Sequence, residues 1–464
     1  MEGKPKFKMP HALVIMVTII IFAAILTWIV PAGEYARIAN GDGVKVVDPS
    51  SFHYVSRAPV NFLKIPLMIV QSLIQKINLM YTVIFAGAAF HMIAKSGALQ
   101  VAVGRISERF QDKGYLFVPV MTTIFALICT TQAVNHFIAF APIMVTLALS
   151  MGMDSIVGVS IILLGGAIGF STAGLNINTA ILAQKLADVP TYSGLPFRAL
   201  CFVVFLIVTN LYLVHYARKI SRKPTASPMY ELDKKREGTE LALNSFGLMD
   251  WRKYCILGVL ILSLVLLIYG NSALHWDLKE DAALFIVLAV IEGALLGLSP
   301  SQIASEFVSG SKTMLGAAFL IGLAGTIGSV LKTGRIIDTV IYLAAGGLQH
   351  VPEFLLGPAM FIANILINCV IVSGSGQAAA VMPIMTPLAD IIGLTRQTAI
   401  LAYTFGDGFC NYVLPHSSAL MGILGAANIP YDRWMKFMGR LFLIWLLTGS
   451  ILCSIAQAIH YGPI

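Results

Sequence analysis

Ser373-Gly374-Ser375-Gly376-Gln377-Ala378-Ala379-Ala380 lies near the middle of residues 354–389, a stretch without a single charged side chain. One helix through that stretch would be about 54 Å long at 1.5 Å per residue, whereas the hydrocarbon core of a bilayer is about 30 Å thick. The run is too long for one crossing, and small polar residues stand where it would have to turn back. Residues 114–153, 155–184 and 397–431, the last interrupted only by Asp407, carry the same surplus. Seven other runs, 12–30, 77–94, 199–217, 254–276, 282–291, 313–331 and 441–464, each supply about one crossing. The expected fold class is therefore an all-α polytopic membrane protein with about 11 transmembrane helices.

Composition agrees. The 464 residues are 57% hydrophobic and only 12% charged, with a mean hydropathy of +0.82, against about 25% charged for an ordinary soluble domain. A soluble enzyme and a nucleic-acid partner are both disfavoured, despite a net charge of +8. Lys4, Lys6 and Lys8 precede the first apolar run in the manner of a signal peptide, but the run is long and no small-x-small cleavage site follows Pro31, so an uncleaved first helix is expected. With the N-terminus cytoplasmic, segments 1–11, 95–113, 218–253, 299–312 and 432–440 hold 20 of the 31 basic residues, which fits the positive-inside rule. Cys129, Cys201, Cys255, Cys369, Cys410 and Cys453 lie in or beside apolar runs without paired spacing, so neither a disulfide framework nor a metal site is expected.

The chain repeats itself. Lys95-Ser96-Gly97 recurs as Lys332-Thr333-Gly334, Pro142-Ile143-Met144 as Pro383-Ile384-Met385, Gly152 as Gly393, Gly165 as Gly406 and Pro190 as Pro430, at offsets of 237 to 241. The topology starts the two copies on helices of opposite direction, so the repeats are inverted, an arrangement that places a carrier's substrate site where the copies meet. The surplus lengths then read as two re-entrant hairpins, tipped by Thr130-Thr131-Gln132-Ala133-Val134-Asn135 and by Ser373-Gly374-Ser375-Gly376-Gln377. Each is followed by a helix broken at a polar patch: residues 165–179, which include Asn176, Asn178 and Thr179, and residues 406–411, with Pro415-His416-Ser417-Ser418 beyond. Irregular backbone at membrane depth is tolerated where it lines a cavity. Expected portions are 1–113 (first helix and first scaffold part), 114–217 (first transport part), 218–253 (basic cytoplasmic linker), 254–352 (second scaffold part) and 353–464 (second transport part).

Half-helix N-termini attract carboxylates, and unwound carbonyls with Ser, Thr and Asn oxygens suit a hard cation. Candidate substrate-binding residues are Thr131, Gln132, Asn135, His136, Asn176, Asn178, Thr179, Ser373, Ser375, Gln377, Asn411, His416 and Ser417. Candidate coupling-ion residues are Thr130, Asn178, Ser375, Asp407 and Asn411. Asp407 is the one acid between Asp390 and Asp432; cation ligand, proton carrier, counter-charge to a substrate ammonium, and structural acid are the roles open to it. His136 and His416 either titrate or are simply hydrogen-bonded, and Glu292 reads as structural or interfacial.

At Ser373 to Ala380, Met382-Pro383-Ile384-Met385, Gly406-Asp407-Gly408-Phe409, Asp154-Ser155-Ile156-Val157-Gly158 and Pro31-Ala32-Gly33, the sequence resembles the anaerobic C4-dicarboxylate carrier-like family, in particular its YfcC-like branch of basic amino acid or arginine/ornithine antiporters. The resemblance implies the ion-transporter superfamily fold, a scaffold with a moving transport portion, and a homodimer working as an elevator. In that branch the first hairpin tip often carries adjacent acids; here Thr131 to His136 contains none, which favours a carboxylate or zwitterion at least as much as a cation. The expected activity is secondary transport of a small amino acid or carboxylate in a bacterial inner membrane, coupled to Na⁺ or H⁺ or exchanging substrates. The bilayer and a small-molecule substrate are the expected partners. An ion channel and an intramembrane enzyme are the alternatives; no phosphate-binding Gly-Lys-Ser/Thr loop, His-Glu-x-x-His or Gly-x-Ser-x-Gly motif occurs, so no catalytic residue, resident metal or cofactor is expected.

Overall fold

In a computed structural model, residues 12–39, 45–98, 101, 114–172, 174–240, 249–274, 276–371 and 373–462 are described. Helices dominate: α1 (Ala12–Ile29), α2 (Ile65–Gln75), α3 (Ile77–Ser96), α4 (Gly114–Ile128), α5 (Ala141–Ser150), α6 (Ser155–Thr172), α7 (Leu182–Leu186), α8 (Leu195–Arg222), α9 (Tyr230–Glu240) and α10 (Trp251–Ala273). Then follow α11 (Leu278–Leu295), α12 (Pro300–Thr313), α13 (Leu315–Thr333), α14 (Ile337–Leu348), α15 (Leu356–Asn368), α16 (Gly374–Ile392), α17 (Arg396–Cys410), α18 (Ser418–Ala426) and α19 (Tyr431–Ala458). Their starts follow local chemistry. Ser299 and Gln302 form a capping box ahead of α12, with Pro300 in its first turn, and the Thr395 hydroxyl accepts from Thr398 N to open α17. Six of the described helices are long and apolar enough to cross a bilayer: α3, α6, α8, α10, α13 and α19.

The all-α expectation needs one correction. Between α1 and α2 the chain forms two antiparallel ribbons, β1 (Gly33–Glu34) with β4 (His53–Tyr54) and β2 (Arg37–Ala39) with β3 (Lys45–Val47). Pro31 ends the apolar run and the β-branched residues that follow favour extended pairing. Arg37 grips Asp338 through both carboxylate oxygens, at 2.9 and 2.7 Å, and Phe52 stacks on Tyr342, fastening the ribbons onto α14.

The repeat is visible element by element. The pair α2/α3 corresponds to α12/α13, the hairpin α4/α5 to α15/α16, the helix–break–helix α6/α7 to α17/α18, and α8 to α19, both of 28 residues. Gly152 and Gly393, which close the two hairpins, both take the left-handed conformation, with φ of +72° and +77°. Contacts exchange as a twofold axis requires. Leu73 of α2 lies against Gly322 of α13, and Gly310 of α12 lies against Ala88 of α3, so the first member of each pair meets the second member of the other.

In each copy the outgoing hairpin arm lies directly on the broken helix. A Cβ at Gly165 would stand 2.8 Å from Phe125 Cβ and from Thr122 O; one at Gly406 would stand 2.5 Å from Asn364 Cβ and 3.0 Å from Asn364 C. The repeated glycine is a repeated close approach. The polar linker also has a place: Asp233 of α9 accepts from Ser155 N at 2.9 Å, at the start of α6, and burial pushes its carboxyl above the usual carboxylate range. Gly406→Ala is expected to overpack the α15–α17 contact and cost about 1–3 kcal/mol. The thermal midpoint of purified protein in detergent measures it, and an unchanged midpoint would show that α15 can retreat.

Candidate functional site

The turns and breaks fall slightly off the positions expected. The first hairpin turns at residues 129–133 and continues as a 3₁₀ segment, Val134–Phe140. The second turns just after Asn368; Ser373 caps α16 by accepting from Gly376 N at 3.2 Å, so Ser-Gly-Ser-Gly becomes the first turn of that helix. In the first broken helix only the tail of the 165–179 patch departs from the α-helix, at left-handed Gly174 (φ +71°), after which Ile177–Ile181 winds as a wide π turn. In the second, α17 continues through Asp407 to Cys410, and the break is 411–417, where Pro415 cannot continue a helix.

Asp407 is fully buried on the last turn of α17. Its Oδ1 accepts from Asn368 Nδ2 at 2.8 Å, and the same amide donates to Gln377 Oε1 at 2.9 Å. Gln377 Nε2 donates to Asn364 O and Oδ1 at 3.1 and 3.2 Å. One amide chain thus links both arms of the second hairpin to the broken helix. Among the described residues Asp407 Oδ2 has no hydrogen-bond partner, and it faces Gly374: a Cβ there would be 2.7 Å from it and 2.8 Å from Thr179 Cγ2. Tyr403 OH donates to Gly374 O at 2.7 Å. The buried hydroxyl of Thr179 and Asn368 Oδ1 are likewise unpartnered. The second tip, the first break and the acid therefore meet at Gly374.

A cavity of about 170 Å³ opens beside this cluster, with Asn135 from the first tip, Gly374 from the second and Asn411 and Ser417 from the second break in its wall. Tyr412, Ser418 and, from the other side, Lys76 complete its polar lining. Among the other residues singled out from sequence, Thr130 and Thr131 turn their hydroxyls back to Leu127 O and Ile128 O, and Gln132 and Asn176 are buried. Ser373 and Ser375 are exposed at the tip, 3.3 Å apart through their hydroxyls. His416 is buried with neither ring nitrogen partnered. The Asn178 side chain lies outside the described residues. His136 turns away to α11, where its Nδ1 lies 2.5 Å from Asp281 Oδ2 and Asn271 holds the other carboxylate oxygen at 2.8 Å. Glu292 is buried on α11 without a partner, away from these residues.

The sequence profile of the C4-dicarboxylate anaerobic carriers matches residues 9–458. The chain belongs to that family. Within reach of this carrier family, the Escherichia coli protein described as "Putative basic amino acid antiporter YfcC" is 26% identical over 503 residues, covering 99% of each chain. An uncharacterized Haemophilus influenzae protein is also 26% identical, over 508 residues and 99% of each. The solved YdaH transporter of Alcanivorax borkumensis overlays with a TM-score of 0.42 at 16% identity, covering 98% of this chain and 100% of that one; so loose an overlay equates no individual elements. The family is one of carriers, and this member of it is a membrane transporter.

Sequence reasoning missed Lys76, Asp281, Asn364, Asn368 and Tyr403. Lys76 did carry a signal, being the only charge between Lys64 and Lys95. Asn368→Leu is expected to strand Asp407 Oδ1 and Gln377 Oε1, at about 1–3 kcal/mol for the buried amide oxygen and more for the carboxylate. Unfolding of the purified variant checks this, and wild-type stability would mean that the network bears no weight.

Proposed function

We propose that this protein is a secondary active transporter of a small carboxylate or amino acid, multi-pass in a bacterial inner membrane with a cytoplasmic N-terminus. It moves substrate by an elevator motion of α4–α8 and α15–α19 against a scaffold of α1–α3 and α10–α14, as a homodimer with about 11 crossings. The observation that carries this reading is the cavity whose lining joins two hairpin tips and a helix break with Lys76 of the scaffold. A solute there touches both portions, so sliding one past the other carries it across.

The asymmetry of packing supports a moving frame. α18 lies on scaffold α13, where Gly422 and Gly425 let Ile321 and Ala317 approach closely, whereas its counterpart α7 packs mainly on α16 and has no comparable contact with α3. Two copies that are alike in sequence pattern but unlike in engagement fit one end state of a two-state cycle. Asp407 is the coupling residue in this reading. Its unpartnered Oδ2, near the Thr179 hydroxyl and the first turn of α16, offers a hard oxygen set to Na⁺ or a seat for a proton.

Purified protein in liposomes is expected to show saturable uptake that responds to an imposed Na⁺, H⁺ or substrate gradient. Asp407→Asn should abolish the gradient response with folding retained; ohmic, unsaturable current in wild type would indicate a channel instead. For the elevator, Cβ atoms at Gly425 and Ala317 would lie 3.1 Å apart, close to the 3.5–4.5 Å usual for a disulfide. Oxidising the Gly425→Cys/Ala317→Cys variant should stop uptake and reduction should restore it. Full uptake by the cross-linked protein would exclude sliding at this interface.

A further inference from the structure

Lys76 occupies an unusual place. It is the one residue between α2 and α3, closing the first helix through Lys76 N to Ser72 O at 2.9 Å and opening the second. Its stem runs over Gly325 of α13, where a Cβ would be 3.2 Å from Lys76 Cε and 3.3 Å from Cγ. The absent side chain at Gly325 leaves the channel in which the lysine lies. The side chain is half-buried and reaches the cavity wall. It makes no ion pair among the described residues.

The rest of the wall gives that charge nothing to pair with. Every other lining residue is uncharged. Two helix starts also face the space, α16 at Gly374 and α18 at Ser417, whose hydroxyl caps the latter by accepting from Leu420 N at 3.4 Å, and helix starts carry partial positive charge. Asp407 stands behind Gly374 and is not in the wall. An ammonium or guanidinium entering here would meet a like charge, while a carboxylate would meet the one charged residue of the wall.

The repeat adds a second step. The residue equivalent to Lys76 is Met314, which likewise ends one helix and begins the next, between α12 and α13. In an inverted-repeat carrier one portion moves against the other around the site, so in the opposite state the moving portion would meet Met314, a thioether, in the place in the repeat that Lys76 holds here.

We propose that Lys76 is the charge-selecting residue of the substrate cavity, pairing with a substrate carboxylate in the state seen here and releasing it when the transport portion slides. This rests on the transporter reading, because only a moving portion separates the cavity from a scaffold lysine. The lysine rejects cationic substrates and makes substrate affinity unequal on the two faces of the membrane.

The test uses full-length protein and two probes, succinate and arginine, with thermal stabilisation in detergent as the binding readout and liposome uptake as the second. Succinate is expected to stabilise wild type and arginine not to. Lys76→Gln should weaken the succinate response at least tenfold, and Lys76→Arg should keep most of it. In liposomes, wild-type KM for succinate should differ more than tenfold between the two faces, and Lys76→Gln should bring the two values together. The proposal is overturned if succinate leaves wild type unstabilised, if wild type and Lys76→Gln respond equally, if arginine stabilises wild type as well as succinate does, or if the two faces show equal KM. Lysine-dependent succinate binding without gradient-driven uptake would instead sink the transporter reading and leave charge selection at Lys76 standing.

Discussion

The hydrogen bond from Asn368 Nδ2 to Asp407 Oδ1 is the contact on which the site is built. A carboxylate buried in an apolar frame is costly unless it is hydrogen-bonded. Asn368 supplies one bond and also holds Gln377, which in turn reaches Asn364. Three helices, α15, α16 and α17, are thereby held at fixed spacing. The spacing leaves Asp407 Oδ2 against the Cα of Gly374, where any larger residue would collide with it. The acid can therefore be unpaired at one oxygen without being loose.

The outgoing arm of each hairpin is too short to cross a bilayer alone and too apolar to leave it. α15 has 13 residues and α4 has 15, about 20 and 22 Å at 1.5 Å per residue. Each falls short of the ~30 Å of a hydrocarbon core, so an arm that starts at one face would have to turn back within it. The glycines at 165 and 406 let those short arms sit directly on the broken helices, so the exposed turn backbone is covered by protein and not by lipid.

Much of this was legible before any coordinates. Constant offsets between Gly152 and Gly393, and between Gly165 and Gly406, exposed the repeat because the same steric need recurs at the same place. Asp407 stood out because a lone acid in a long apolar run requires a partner. What the sequence could not display were partners far apart in the chain. His136 pairs with Asp281 across 145 residues, and nothing local to either predicts the other. Asn364 and Asn368 carry no local signal, since the partners they meet are set by the packing of α15 on α17. Lys76 was overlooked because lysines near apolar runs usually mark the membrane surface; its position at a helix–helix junction facing a cavity is a tertiary fact.

The repeat explains the motion and leaves the chemistry to be carried by departures from it. At the 241 offset Asp407 corresponds to Gly166, Asn368 to Leu127 and Gln377 to His136, while Lys76 has Met314 as its structural counterpart. The frame is doubled, yet the acid, the amide chain and the cation each occur once. A fully symmetric site would present the same groups in both end states and bind equally in each, so no state would favour loading or release. In the transport cycle proposed above, an acid on the second broken helix and a lysine on the first scaffold pair would make the two states chemically distinct.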